Sequence, residues 1–210
     1  MTVEVDTPQG VRSGSSVIEV GGHINSDLAP GEARGRAIRS VKGEAIGVGL
    51  PDGKMLFALM VSDRDADYMA AAALTAADGE PWFRQKLAPD DLRKRQEKFL
   101  AQPRPIPRYF RRTPSKNGVF DNYPIFVTFG DLKDPQSIKR VDPDDLGSAF
   151  GEGIRLRRIT VQMTDAPVSH RVQKYLPWIE RAEEIPFPAE FEAQNQTFGD
   201  YRRFFIMEGK

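Results

Sequence analysis

The sequence predicts an α+β fold, an antiparallel β-sheet or sandwich built from hairpins, with helices inserted in the middle and near the C-terminus. Three observations carry this. Short apolar runs come in pairs separated by glycine and proline turns, as hairpins require. Strand and helix signals do not alternate along the chain, which disfavours a doubly wound parallel sheet. Between residues 122 and 165, strand, turn, capped helix and strand signals follow one another with almost no ambiguity. A chain of 210 residues suffices for one well-packed domain and is short for two, so 1–210 reads as a single domain.

From the N-terminus, Thr2–Asp6 and Ser15–Val20 read as extended runs joined by a loose loop, Thr7–Gly14, in which Pro8, Gly10 and Gly14 supply turn geometry. Residues 21–35 (GGHINSDLAPGEARG) carry four glycines and one proline without apolar periodicity and read as an exposed glycine-rich loop. A clearer hairpin follows within 37–61. Ile46, Val48 and Leu50 alternate, Pro51-Asp52-Gly53 turns the chain, and Met55–Val61 returns as a buried strand.

Ala66–Ala77 is alanine-rich, is preceded by Asp63, Asp65 and Asp67 and is stopped by Gly79 and Pro81, so it reads as a helix. Pro89-Asp90-Asp91 opens a second helix reaching about Ala101. In 102–122, Pro103, Pro105, Pro107 and Pro114 forbid helix and central strand, leaving a proline-rich basic surface segment. Tyr123–Phe129 is a short apolar strand. Asp134-Pro135 and Asp142-Pro143 each place an N-cap acid before a proline at the first helical position, and the second turn ends near Gly151.

In Ile154–Met163 the apolar set is Ile154 and Leu156, then Ile159, Val161 and Met163, so parity flips at Arg157-Arg158. A β-bulge there restores one buried face. Val168–Leu176 reads as helical before Pro177 breaks the chain, and Tyr201–Met207 as a final edge strand.

Lysine plus arginine (30) equals aspartate plus glutamate (30), so no overall field draws the molecule to nucleic acid or an anionic surface. Cysteine is absent, which excludes disulfides, thiolate metal sites and cysteine nucleophiles. The strongest apolar runs, Met55–Val61 and Ala70–Ala77, fall short of the ~20 residues of a membrane span.

Motif by motif, chemistry fails to assemble. Asp63, Asp65 and Asp67 match the first ligand positions of a calcium loop, but Tyr68 stands where glycine is needed and Leu74 where glutamate is needed. Those acids suit the positive end of the following helix instead. Gly47, Gly49 and Gly53 sit in a hairpin rather than between strand and helix, so they are no dinucleotide loop. Only His23 and His170 are available as imidazoles. No catalytic residue, metal ligand or cofactor motif emerges, and none is expected.

Two surface features remain. Residues 93–120 hold nine cations against one acid, Glu97, with Tyr109 and Phe110 interleaved. Arg104, Arg108, Tyr109, Arg111 and Arg112 form the candidate anion-binding set, able to hold phosphates, stack bases or lie on an anionic membrane. Because total charge cancels, pairing with the acidic stretches 121–152 and 180–192 is the favoured reading, and nucleic acid a disfavoured partner. The second feature is a candidate ligand pocket lined by Trp82, Phe83, Trp178 and Phe187, aromatics flanked by prolines or loops; such residues more often lid a core.

Three blocks, TVEVDTPQGVRSGSSVIEV, GEAIGVGLPDGKMLFALM and YPIFVTFGDLKDPQSIKRVDPDDLGSAFGEGIRLRRITVQMTDAPV with KYLPW after it, resemble a family of uncharacterised bacterial proteins of about this length. The resemblance covers roughly half the chain, in the same order. Members often carry a lipoprotein-type signal ahead of the first strand, which implies a periplasmic or cell-envelope location. This sequence shows no such leader or cysteine, so the start is trimmed or this member differs and is cytoplasmic. The family has no assigned activity, and no residue inherits a role. The expectation is a non-catalytic envelope-associated protein that binds an unknown protein partner or a small ligand. The alternatives are a phosphate, nucleic-acid or anionic-lipid binder using 93–120, and an enzyme whose site no motif reveals.

Overall fold

The structure, a computed structural model, describes residues 1–24, 37–62, 89–111, 119–185 and 202–208. Mostly antiparallel β-sheet with a few short helices, it makes helix a smaller share than the sequence reading expects. One sheet runs β2 (Gly10–Ser15), β1 (Thr2–Thr7), β12 (Arg155–Val161), β7 (Arg104–Pro105). A second runs β11 (Ile138–Val141), β10 (Phe126–Phe129), β6 (Met55–Ala58), β5 (Ile46–Gly49). β13 (Ile206–Glu208), β4 (Ala37–Glu44) and β3 (Glu19–Ile24) make a third, and β8 (Tyr109–Arg111) pairs with β9 (Val119–Asp121).

The first hairpin differs from its sequence reading. β1 turns through Pro8-Gln9 into Gly10–Ser15 rather than into Ser15–Val20. Gly10, at φ 108, accepts the backbone that closes a two-residue loop, so nothing loose is needed. Glu19–Ile24 then pairs with β4, which takes Gly21–Ile24 out of the expected loop; residues 25–36 lie outside the described residues. The hairpin β5–β6 forms as expected around a 3-10 turn, Pro51–Gly53.

β6 is buried on both faces, and its period-2 alternation divides the core. Leu56 and Ala58 join Val3, Val5, Ile46, Val48, Phe126, Ile159 and Val161 between the first two sheets. Phe57 and Leu59 join Val127, Phe129, Trp178, Ile179, Phe204 and Phe205 on the other side. There Phe57 meets Phe129 edge-on at 5.7 Å and Phe205 at 5.9 Å, an arrangement aromatic quadrupoles favour.

The expected bulge is present. Glu4 pairs with Arg158 and Val5 with Leu156, leaving Arg157 as the extra residue. Both arginines then reach acids on β1: Arg158 grips Glu4 with two bonds of 2.9 Å, and Arg157 donates to Asp6 at 2.9 Å. β7 is an edge strand, the only sheet position its proline tolerates.

The helices are α1 (Pro89–Phe99), α2 (Leu146–Phe150), α3 (Val172–Tyr175) and α4 (Arg202–Phe205). Asp134 caps a 3-10 turn at Pro135 as expected. The cap of α2 is Asp145 rather than Asp142; Asp142 instead accepts from the Asp144 N–H at 2.9 Å and builds the turn before it. The run Val168–Leu176 yields only the single turn α3, and of the expected strand Tyr201–Met207 the described residues divide into α4 and β13. The expected helix Ala66–Ala77 lies outside the described residues.

Candidate functional site

Strand β2, an edge of the first sheet, passes over β5, an edge of the second. Two glycines permit the approach: a Cβ on Gly14 would stand 2.1 Å from the Gly47 carbonyl oxygen. Side chains cannot fill such a crossing, and a cleft of about 250 Å³ opens beside it. Thr2, Ser13 and Ser15, Gly47 and Gly49, and Glu44, Arg171, Val172 and Tyr175 line it.

Glu44 ends β4 and is only 4% exposed. Both its oxygens lie 2.6 Å from the Arg171 backbone N–H, and one also accepts from the Val172 N–H at 2.8 Å. A buried carboxylate is tolerated when such donors meet it. The segment carrying those donors is itself fastened: Ser169 N–H donates to the Val17 carbonyl at 3.1 Å, and its hydroxyl accepts from the Val17 N–H at 2.9 Å. Glu44 also explains why the helix signal at 168–176 begins late, because it takes the amides at the start of α3.

Arg171 holds Glu44 through its backbone, and its side chain is exposed. Among the described residues no ion pair engages either Glu44 or the Arg171 guanidinium. Tyr175, 37% exposed, leans edge-on against Phe57 at 6.3 Å and puts a phenol at the same cleft.

The sequence-derived candidates fall elsewhere. Trp178 is 6% exposed, donates its indole N–H to the Leu132 carbonyl at 2.8 Å, and packs on Phe129 and Phe205 as part of the core. Trp82, Phe83 and Phe187 lie outside the described residues, as does Arg112.

Arg108 is enclosed. It donates to Asp121 at 3.2 Å and to Asp144, and its guanidinium carbon sits 5.1 Å from the Tyr109 ring centre and 5.7 Å from that of Tyr123. Both acids belong to the stretch 121–152, as internal pairing requires. Burial raises the Tyr123 phenol above its ordinary pKa, with the Arg108 charge opposing and Asp121 adding. Arg104 donates to the Phe99 carbonyl at 3.1 Å, Tyr109 is 56% exposed, and Arg111 lies in β8. The structure therefore places Arg108 and Tyr109 together but sets Arg104 on a different strand and a different partner.

Glu44, Arg171 and the serines of β2 escaped the sequence reading. The one local signal was an acid at the seam of two strands, between Val41 and the run Ala45–Val48. The chain matches no protein-family model, no curated protein and no solved structure.

Proposed function

We propose that this chain is a non-catalytic binding protein that takes a compact polar ligand in the cleft between β2, β5 and α3. The observation that carries the reading is Glu44, a buried carboxylate that backbone amides hold at the wall of a solvent-open cleft. The other polar residues that line it are Thr2, Ser13, Ser15, Arg171 and Tyr175. Such a set fixes a ligand by hydrogen bonds and charge. A volume of about 250 Å³ lies below the roughly 300–1,000 Å³ of pockets for drug-sized molecules, so the ligand is small.

The two sheets that frame the cleft read as a β-sandwich with a helical outer layer on one side. An envelope location belongs to the same proposal, supported by the resemblance of the three sequence blocks. Recovery from source cells in the cytoplasmic fraction alone would overturn that part.

Native mass spectrometry of the protein purified gently from its own source tests the binding reading. A retained small molecule is expected, and Glu44→Gln, which removes the buried charge at the cleft, is expected to weaken its retention. An apo mass for the parent protein, or equal retention by the variant, overturns the assignment.

A further inference from the structure

We infer that the cleft selects a zwitterion of amino-acid type, its ammonium against Glu44 and its carboxylate against Arg171. This rests on the cleft being the ligand site and adds the chemistry of its occupant.

A carboxylate offers about four lone-pair sites. Two backbone amides donate to Glu44, so acceptor capacity remains on a group that is 4% exposed. Backbone N–H dipoles orient the anion without cancelling its charge. A buried anion is best compensated by a cation with hydrogens to donate, and among the described residues Glu44 has no such partner. An ammonium group supplies three donors on one compact charge.

Arg171, an exposed residue, lines the same cleft, and no acid among the described residues engages its guanidinium. Its own backbone N–H lies 2.6 Å from Glu44, so the two opposite charges are separated by no more than one arginine side chain. The planar fork of arginine matches a carboxylate bidentately. A ligand bearing either charge alone satisfies one of these two groups and leaves the other unpaired.

The test is amide NMR of the full chain with three probes: a pool of the standard L-amino acids, methylammonium alone and acetate alone. The pool is expected to shift the Arg171 and Val172 amides saturably. Each half-charged probe should bind about tenfold more weakly or worse, the loss that follows one missing charge-assisted contact. Arg171→Ala leaves the backbone bond to Glu44 in place and is expected to erase the advantage of the pool over methylammonium. Glu44→Gln is expected to erase its advantage over acetate.

Binding of methylammonium or acetate as tight as that of the pool overturns the zwitterion, as does the absence of any shift from the pool. If native mass spectrometry meanwhile shows a retained molecule, the cleft stands as a site and only its chemistry falls. If that mass is apo, the site falls too.

Discussion

Arg108 and Arg171 are both arginines in polar stretches, yet among the described residues acids engage the guanidinium of the first and not that of the second. Arg108 has two carboxylates and two aromatic rings around it and is only 19% exposed as a side chain. Arg171 gives its backbone N–H to Glu44 and is an exposed residue of the cleft lining. Charge density along the chain pointed to the first region, nine cations in 93–120, and gave no weight to the second. What separates structure from function here is whether a charge is already answered, and only the fold decides that.

Four experiments break or sharpen the contrast. The largest effect is expected at Glu44. Glu44→Ala orphans the Arg171 and Val172 amides, and at about 1–3 kcal/mol for each unsatisfied buried group the variant should lose about 2–6 kcal/mol in denaturant melts. Arg171→Ala, which keeps both amides, should stay within about 0.5 kcal/mol of the parent. Equal losses from the two would show that the guanidinium is structural and the contrast false.

Next comes Gly14→Ala, where the added Cβ meets the Gly47 carbonyl oxygen of a fixed strand. Overpacking of this kind costs about 1–3 kcal/mol. The chemical shifts of the cleft residues should move with it, because β2 and β5 must separate. An unchanged melting curve would show that the crossing is not tight.

Arg108→Ala follows, with an expected loss of about 1–2 kcal/mol from two partly exposed ion pairs and two cation–π contacts. Arg108→Lys should recover little of it, since an ammonium cannot reproduce a fork that serves both acids. Full stability in the lysine variant would identify Arg108 as a plain surface charge, available for an anion after all.

The smallest effect is on pH dependence. The folded-state pKa of Tyr123 is raised, so its contribution is fully present below the ordinary phenol range near about 10 and is lost as pH rises through the raised value. Tyrosinate absorbance should show a step above the ordinary phenol range, and Tyr123→Phe should remove it. A late step that survives the substitution assigns it to another tyrosine.

Features set by near neighbours were legible in the sequence. The parity flip at Arg157-Arg158 marked the bulge because alternation is a property of the strand itself. Pro51-Asp52-Gly53 marked its turn, and Asp134-Pro135 its cap, for the same reason. Where two local solutions competed, the reading failed. Gly10–Ser15 has little apolar character and looked like loop, yet a two-residue turn and a glycine at φ 108 made it the partner of β1. Asp142 and Asp145 both suit a cap, and the one nearer to Leu146 took it. The cleft was the least legible, since Glu44 acquires its meaning from amides 127 and 128 residues away. No window of sequence contains both ends of that bond.

That span has a kinetic side. Glu44 to Arg171, and Val17 to Ser169 across 152 residues, are contacts whose loop-closure entropy is spent before they return anything. The cleft is therefore a property of the finished chain: a ribosome-bound or truncated polypeptide ending before Arg171 has Glu44 but not the amides that hold it. An occupant that needs both Glu44 and Arg171 would act as a clasp on the completed molecule. It would slow unfolding while leaving the rate of folding nearly untouched, so the lifetime of the folded protein, more than its formation, would follow the supply of ligand.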